Sequence, residues 1–502
     1  MQEIICEKCS NRYSRYCASP LFSSQASSTI PGGGLAMPSP GFYKASLCKW
    51  GLSLLLPLLA YFAMPVGKGI VTVHMALFMA FTVWAVSVWS MDVIDQVAVG
   101  IVLPIFYIVF CGVQQRVVFG PWLGDVPIIV IGGFTLGKIF HDTGLGKRIG
   151  LVCVRAMGGS FTGTLFGICI AGAIIAPLVP SIMGKAAIIC ALGVSLCDAL
   201  EFNPKSREAT AVMLACLLTV TSTKLCYLTG GADLVLGMAL VDKVLGIKTT
   251  WLEYAMYNFP PGMLYTIMSV GLVVLLLPSK TNKATMKTNL LAKCREIGPA
   301  SPEQKRAGYL MLATLFLLAT DKLHGISAGI VLIVITFATF LPGVKLMDGQ
   351  RFSKINFAPL FFIMGCMAIG SAGGALKVTD WIASVTLPYL QNLSDNMAGL
   401  AAYVLGAAAN FLLTPLAATT TMTSPLAELG KQMHVDSRAL YFAFQYGLDN
   451  YIFPYEYAVL LYFFSSGYIL FKDMFKVLAV RMVLAGCFIA LVAMPYWNII
   501  LM

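Results

Sequence analysis

Two hydrophobic stretches break where a membrane helix would be expected to run on, and no other feature of this chain constrains its fold as strongly. The first break reads Ala176-Pro-Leu-Val-Pro-Ser-Ile-Met-Gly-Lys185 and the second Leu413-Thr-Pro-Leu-Ala-Ala-Thr-Thr-Thr-Met-Thr-Ser-Pro425, each flanked on both sides by apolar residues. Backbone unwinds at membrane depth only where protein or a water-filled cavity satisfies its N–H and C=O groups. Paired interruptions in corresponding halves point to a transporter's substrate site.

Composition supports a membrane setting. Of the 502 residues 58% are hydrophobic and 11% charged, and the mean hydropathy is +0.81; a soluble domain carries about 25% charged residues. The expected fold is therefore an all-α polytopic membrane protein. Apolar segments fall near 48–64, 69–90, 94–112, 126–141, 209–228 and 259–278, then near 307–320, 325–341, 357–375, 438–448 with 456–470, and 476–500. With roughly 20 apolar residues per span, these predict about eleven transmembrane helices. The broken segments, 161–200 and 397–430, read as two re-entrant hairpins, each helix, unwound tip, helix, with tips near Ser181 and Thr419.

The halves repeat. Gly132-Gly-Phe-Thr-Leu-Gly137 matches Gly365-Cys-Met-Ala-Ile-Gly370 at an offset of 233, and the hairpin tips compare at Ser181 and Pro415, an offset of 234. A third pair, Gly231-Ala-Asp-Leu-Val235 and Tyr455-Glu-Tyr-Ala-Val459, lies 224 apart. The first hairpin is expected to enter from the cytoplasm and the second from outside, which makes the repeats inverted in topology. The predicted organisation is a flexible cytoplasmic tail (1–45), a first half (46–279), a basic cytoplasmic linker (280–306) and an inverted second half (307–502).

Charge sets the orientation. The net charge of +11 comes from Lys and Arg gathered in short connections, densest between Lys280 and Arg306. Such loops stay in the cytoplasm, and Lys147, Arg148, Arg155, Lys345, Arg351, Lys354, Lys472 and Lys476 fall on the same side. The N-terminus is then cytoplasmic and the C-terminus outside, in a cell (inner) membrane. The stretch from Lys147 to Arg155 predicts an amphipathic surface helix. Basic residues confined to loops offer no groove or face for nucleic acid. The 14 Cys are scattered through apolar segments as small hydrophobes, and Cys6-Glu-Lys-Cys9 lacks the second half of a zinc site. No Walker loop, nucleophile–base pair or metal-ligand cluster is present, so neither an enzyme nor an ATP-driven pump is expected, and no cofactor.

Transport chemistry concentrates at the breaks. Lys185, next to Ser181, Ile182, Met183 and Gly184, places a cation inside the membrane, where charge is expensive and functional; it suits an anionic substrate unless it snorkels to the surface. Helix N-termini at a hairpin tip bind anions as well. Five hydroxyl residues stand in six positions at Thr419, Thr420, Thr421, Thr423 and Ser424, after Ala417 and Ala418. Their hydroxyls either contact substrate or bond their own helix backbone. A second polar interruption, Ser222-Thr-Lys224 with Thr229-Gly230-Gly231-Ala-Asp233, has its counterpart in Asp449-Asn-Tyr-Ile-Phe-Pro454-Tyr-Glu456. Asp233 and Glu456 are candidates for carrying a proton, or else for a salt bridge or a helix cap.

This pattern resembles the divalent anion/sodium symporter family of the wider ion transporter superfamily, from about Trp50 to Met502. Members carry Ser-Asn-Thr at each hairpin tip; here Ser181-Ile-Met keeps the Ser alone and Pro415-Leu-Ala keeps none. The resemblance implies alternating access by an elevator-like moving domain, a homodimer among membrane lipids, and a small anionic substrate, most naturally a di- or tricarboxylate. With both Asn residues absent, the coupling is open between sodium, protons and anion exchange. The alternatives are a sodium/proton antiporter or an inorganic-anion permease for sulfate or arsenite of the same superfamily, and more remotely a non-transporting receptor or a membrane enzyme.

Overall fold

The computed structural model describes residues 40–501 apart from 68–70, 92, 159, 180, 280–287, 290–297, 379, 383–384, 386–392, 412 and 455. The predicted tail and its Cys6–Cys9 pair, and most of the basic linker, lie outside the described residues. Among these residues the chain is helical throughout, with no strand. The principal helices are α1 (Pro40–Ala63), α2 (Val73–Met91), α3 (Gln96–Val109), α4 (Asp125–Asp142), α5 (Leu145–Ala156), α6 (Phe161–Ile175), α7 (Ile182–Ala199), α8 (Arg207–Lys224), α9 (Ala232–Leu245) and α10 (Trp251–Leu276). They continue with α11 (Pro302–Ala319), α12 (Ala328–Phe340), α13 (Ala358–Ala375), α14 (Asp395–Asn410), α15 (Pro415–Met433), α16 (Ser437–Leu448), α17 (Ala458–Ser465) and α18 (Phe471–Phe488). The last runs on through a wide turn at Ile489–Ala493 to Ile500.

Hydroxyl caps fix where these helices start. Ser160, Ser181, Ser206, Thr250, Ser301 and Thr414 each accept a bond from a backbone N–H of the first turn, and Glu253 and Gln304 reciprocate to complete capping boxes. The spacing of elements carries the repeat. Helices α4 and α13 begin 233 residues apart and end 233 residues apart, and the caps Ser181 and Thr414 are again 233 apart.

Two packed groups follow from the contacts. In one, α3 lies on α13 and α4 on α12, with backbones drawn close by glycine: a Cβ on Gly365 would lie 2.3 Å from the Gly100 carbonyl oxygen, and one on Gly132 2.8 Å from Leu332. The other is built around α8, whose residues from Ala209 to Lys224 are all buried among α6, α7 and α10. Helix α9 joins it to α15, which packs on α16, and α16 packs on α14. The groups meet where α4 faces α7 and α9, and where α13 faces α15. The repeated glycines sit at this seam: Gly137 faces Val179 and Ser181, and Gly370 faces Leu240.

Fewer helices than the predicted eleven have the length of a plain span. Three of the described helices are long and apolar enough to cross a membrane, Ile182–Ala199, Trp251–Leu276 and Phe471–Ile500, or four if α4 and α5, bent by 67° at their junction, count as one. Six further apolar helices are shorter. Caps, prolines and glycine turns divide the apolar runs, and buried helices such as α8 carry Thr, Ser and Lys that lower their hydropathy. The predicted amphipathic segment is helix α5, with Lys147 and Arg155 exposed and Leu151 and Val154 buried.

Candidate functional site

The first break occupies residues 176–181, between α6 and α7. Ser181 is the N-cap of α7 and accepts the Gly184 N–H at 3.2 Å. Ile182, Met183 and Gly184 form the first helical turn, with Met183 38% exposed. Lys185 follows one turn in. It is 1% exposed, and its ammonium donates to the Gly230 carbonyl oxygen. The structure therefore rules out snorkelling for Lys185. No carboxylate among the described residues lies within salt-bridge distance of it, an unusual state for a buried cation.

Gly230 closes a short 3-10 turn, Leu228–Gly230, within the stretch 225–231 that separates α8 from α9. Glycine is required there, since a Cβ on Gly230 would stand 1.8 Å from the Lys224 carbonyl oxygen and one on Gly231 2.4 Å from the Asp233 carboxylate. The Thr229 hydroxyl accepts from the Trp251 indole N–H at 3.0 Å. Asp233 accepts from the Lys224 ammonium at 2.8 Å. Of the roles considered for Asp233 the structure adopts the salt bridge. The Lys224 ammonium also lies 5.8 Å from the centre of the Tyr457 ring, which brings the unwound stretches of both halves together.

The second break corrects the sequence reading. It falls between Asn410, where α14 ends, and Pro415, not at Thr419, and α15 is continuous from Pro415. Proline at the first helical position starts a helix, so the break ends before Pro415, where Thr414 accepts the Ala417 N–H at 3.3 Å. Ala417 and Ala418 are buried in the first turn. Thr420 donates to the Leu416 and Ala417 carbonyls, and Thr421 to those of Ala417 and Ala418; both hydroxyls are consumed by their own helix. Thr419 instead accepts from the Gln445 amide at 2.9 Å. The Thr423 hydroxyl and the Gln445 side-chain carbonyl are buried with no protein partner.

The stretch 449–457, between α16 and α17, must also have its backbone satisfied. The Asn410 amide donates to the Leu448 and Asn450 carbonyls at 2.6 and 3.1 Å. Glu456 accepts the Ile452 and Phe453 N–H groups at 2.9 and 3.2 Å, so it acts as a cap for this loop, with Pro454 buried in the same turn. Arg481, fully buried on α18, donates to the Asp449 carbonyl at 2.8 Å and to the Asp449 carboxylate, and to Ser222 and Ser269 at 2.8 and 3.0 Å. Sequence reading missed Thr414, Asn410, Gln445 and Arg481. Arg481 had a signal: it is a lone charge within an apolar run.

A family model described as the sodium:sulfate symporter transmembrane region matches residues 46–502. The chain belongs to that family. It is the divalent anion/sodium symporter family inferred from the sequence, and its members are membrane transporters rather than enzymes. The citrate/succinate antiporter of Escherichia coli strain K12 is 23% identical over 391 residues, 74% of this chain and 78% of that one. The chloroplastic dicarboxylate transporter 1 of Spinacia oleracea is 24% identical over 355 residues, 57% and 62% of the two chains. The inner membrane protein YbhI of Escherichia coli strain K12 is 24% identical over 263 residues, 51% of this chain and only 55% of that protein. Among solved structures, the YdaH transporter of Alcanivorax borkumensis superposes with a TM-score of 0.50 at 12% identity, over 92% of this chain and 99% of that one, a likeness of fold alone.

Proposed function

We propose that this member of the symporter family carries a small di- or tricarboxylate across the membrane by alternating access. The observation that carries the reading is Lys185: a buried ammonium with no carboxylate partner, one turn into a helix that begins at the first break. Such a charge is costly unless something anionic joins it, and the amide groups at the start of α7 favour the same sign. Relatives named for citrate, succinate and dicarboxylates support the substrate class.

In this reading α6–α7 and α14–α15 are re-entrant hairpins of opposite orientation, entering from the two faces. The substrate sits between Ser181 to Lys185 and the start of α15, with Thr229, Gly230, Gly231 and Asp233 and the loop through Pro454 and Glu456 enclosing it. The group containing α6–α10 and α14–α18 moves against the group containing α1–α4 and α11–α13, as an elevator. Glycines at the seam leave it smooth, and a homodimer would hold the static group in the lipid.

The test is uptake by purified protein in liposomes, with radiolabelled succinate, citrate, sulfate and phosphate offered separately. Saturable uptake of a carboxylate, inhibited by unlabelled carboxylates, is the expected result. Uptake confined to sulfate or phosphate would overturn the substrate class, and flux of none of these anions would overturn the reading itself.

A further inference from the structure

We propose that the turn 320–324 of the static group is a latch on the moving group: Asp321 and Lys322 grip the first turn of α10, and the Trp251 indole carries that grip to Thr229 at the site. This rests on the carrier reading above and adds to it a residue, Asp321, that positions the site from outside it.

Asp321 opens a short turn, Asp321–His324, between α11 and α12. Its carboxylate accepts the Trp251 backbone N–H at 2.8 Å. Trp251 is the first residue of α10. A carboxylate from one group thus sits on the amides at a helix N-terminus of the other, where negative charge is favourable. The neighbouring Lys322 ammonium lies 2.8 Å from Glu253 Oε1, while Glu253 Oε2 closes the α10 capping box on Thr250. Both contacts are therefore made with the one turn that starts α10. A further pair across the same seam, Lys248 with Asp125 at 3.6 Å, is exposed and worth little in water.

The grip reaches the site through one side chain. The Trp251 indole is buried, stacks on the Tyr227 ring with centres 5.7 Å apart, and donates to the Thr229 hydroxyl at 3.0 Å. That hydroxyl keeps its own proton to donate to a carboxylate. A substrate that draws Thr229 toward it pulls on the indole, and the indole belongs to the residue whose amide Asp321 holds. The latch is also able to release. Asp321 is 7% exposed, yet its Oδ1 has no partner among the described residues. A buried carboxylate with one oxygen unused is costly, and that cost vanishes once the group moves off and water reaches Asp321. Lys322, half exposed already, regains its hydration as it parts from Glu253. Asp321 touches no substrate; it is a positioning residue that ties contact at Thr229 to movement of the group.

A carbodiimide joins an amine to a carboxylate where the two meet, the reagent taking up the water lost, so it fixes the latch in the wild-type protein without any introduced residue. The whole protein is treated in liposomes, the Glu253–Lys322 link is counted by mass spectrometry, and radiolabelled succinate uptake is read on the same sample. Uptake should fall in proportion to the linked fraction. Lys322→Arg keeps the ion pair but offers no amine, and should keep its uptake through the same treatment. Saturating succinate should slow the linking of wild type by about twofold or more, and Trp251→Phe, which loses the indole N–H, should abolish that response. Asp321→Asn, with charge removed from the α10 N-terminus, should slow the linking by about threefold. Full uptake by protein linked at Glu253–Lys322, or absence of the link from transporting protein, would overturn the latch while leaving the carrier reading intact. Untreated protein that moves no anion would overturn the carrier reading and this inference with it. Linking of wild type that is indifferent to succinate would overturn the role of Trp251. If Trp251→Phe or Asp321→Asn fails to fold, the wild type with and without succinate, beside Lys322→Arg, still decides.

Discussion

Replacing Lys185 by Met separates a functional charge from a structural one. The ammonium is 1% exposed and has one hydrogen-bond partner among the described residues, the Gly230 carbonyl. Burying an ion costs several kcal/mol after relaxation, and a hydrogen bond to a charged group returns about 1.5–3 kcal/mol. Met fills a similar volume without the charge, so Lys185→Met should leave the empty protein as stable as wild type or more so. Transport should behave oppositely. Removing one partner of a buried charge pair costs about 2–5 kcal/mol, which is about 30- to 4,000-fold in succinate uptake at subsaturating concentration. The assay pairs a detergent thermal-unfolding curve, with and without succinate, with liposome uptake, and uses Lys354→Ala at an exposed position as control. Unchanged melting, no shift on adding succinate and lost uptake are expected together. A Lys185→Met protein that melts several degrees lower yet transports in proportion to its folded fraction would refute the argument and make Lys185 a structural residue.

The remaining predictions concern the framework of the site. Gly230→Ala, whose Cβ would meet the Lys224 carbonyl at 1.8 Å, should destabilise by about 4 kcal/mol or more, whereas Gly271→Ala in α10, with nothing within 4 Å, should be neutral or slightly stabilising; monodispersity and melting temperature report both. Thr414→Ala removes a cap and should cost about 1 kcal/mol, while Thr421→Val, which removes a hydroxyl bonded only to its own helix, should alter uptake and melting little. Either Arg481→Met or Asp449→Leu alone leaves a buried charge unpaired and should cost about 3–5 kcal/mol, most of it recovered in the double variant; a thermal double-mutant cycle measures the coupling.

Proline and glycine announced both breaks, and the repeat offset of 233 read from Gly137 and Gly370 recurs in the caps Ser181 and Thr414. The second tip was placed too late because a run of hydroxyls looked like an unwound segment, although Pro415 starts a helix and Thr420 and Thr421 bond back within it. Lys185 stood out because a lone cation in an apolar segment is costly. Its contact with Gly230, 45 residues away, depends on how α7 packs beside α8, and no local pattern encodes that. The pairing of Asp233 with Lys224 was among the readings considered, since nine residues across a helix break let the two side chains meet. Arg481 escaped notice because nearby Lys472 and Lys476 were read as loop charge, and its partners on α8, α10 and the 449–457 stretch lie far away in sequence.

The central claim is that an anion binds at the first break, beside Lys185, and is carried from there. The most direct measurement is a cryo-electron microscopy map of the protein in lipid nanodiscs with saturating succinate. The account predicts density between the turns at 176–181 and 411–414, in contact with the Lys185 ammonium and the first-turn amides of α7, and absent from a Lys185→Met map. Succinate density elsewhere in the protein, with Lys185 still bonded only to Gly230, would contradict it.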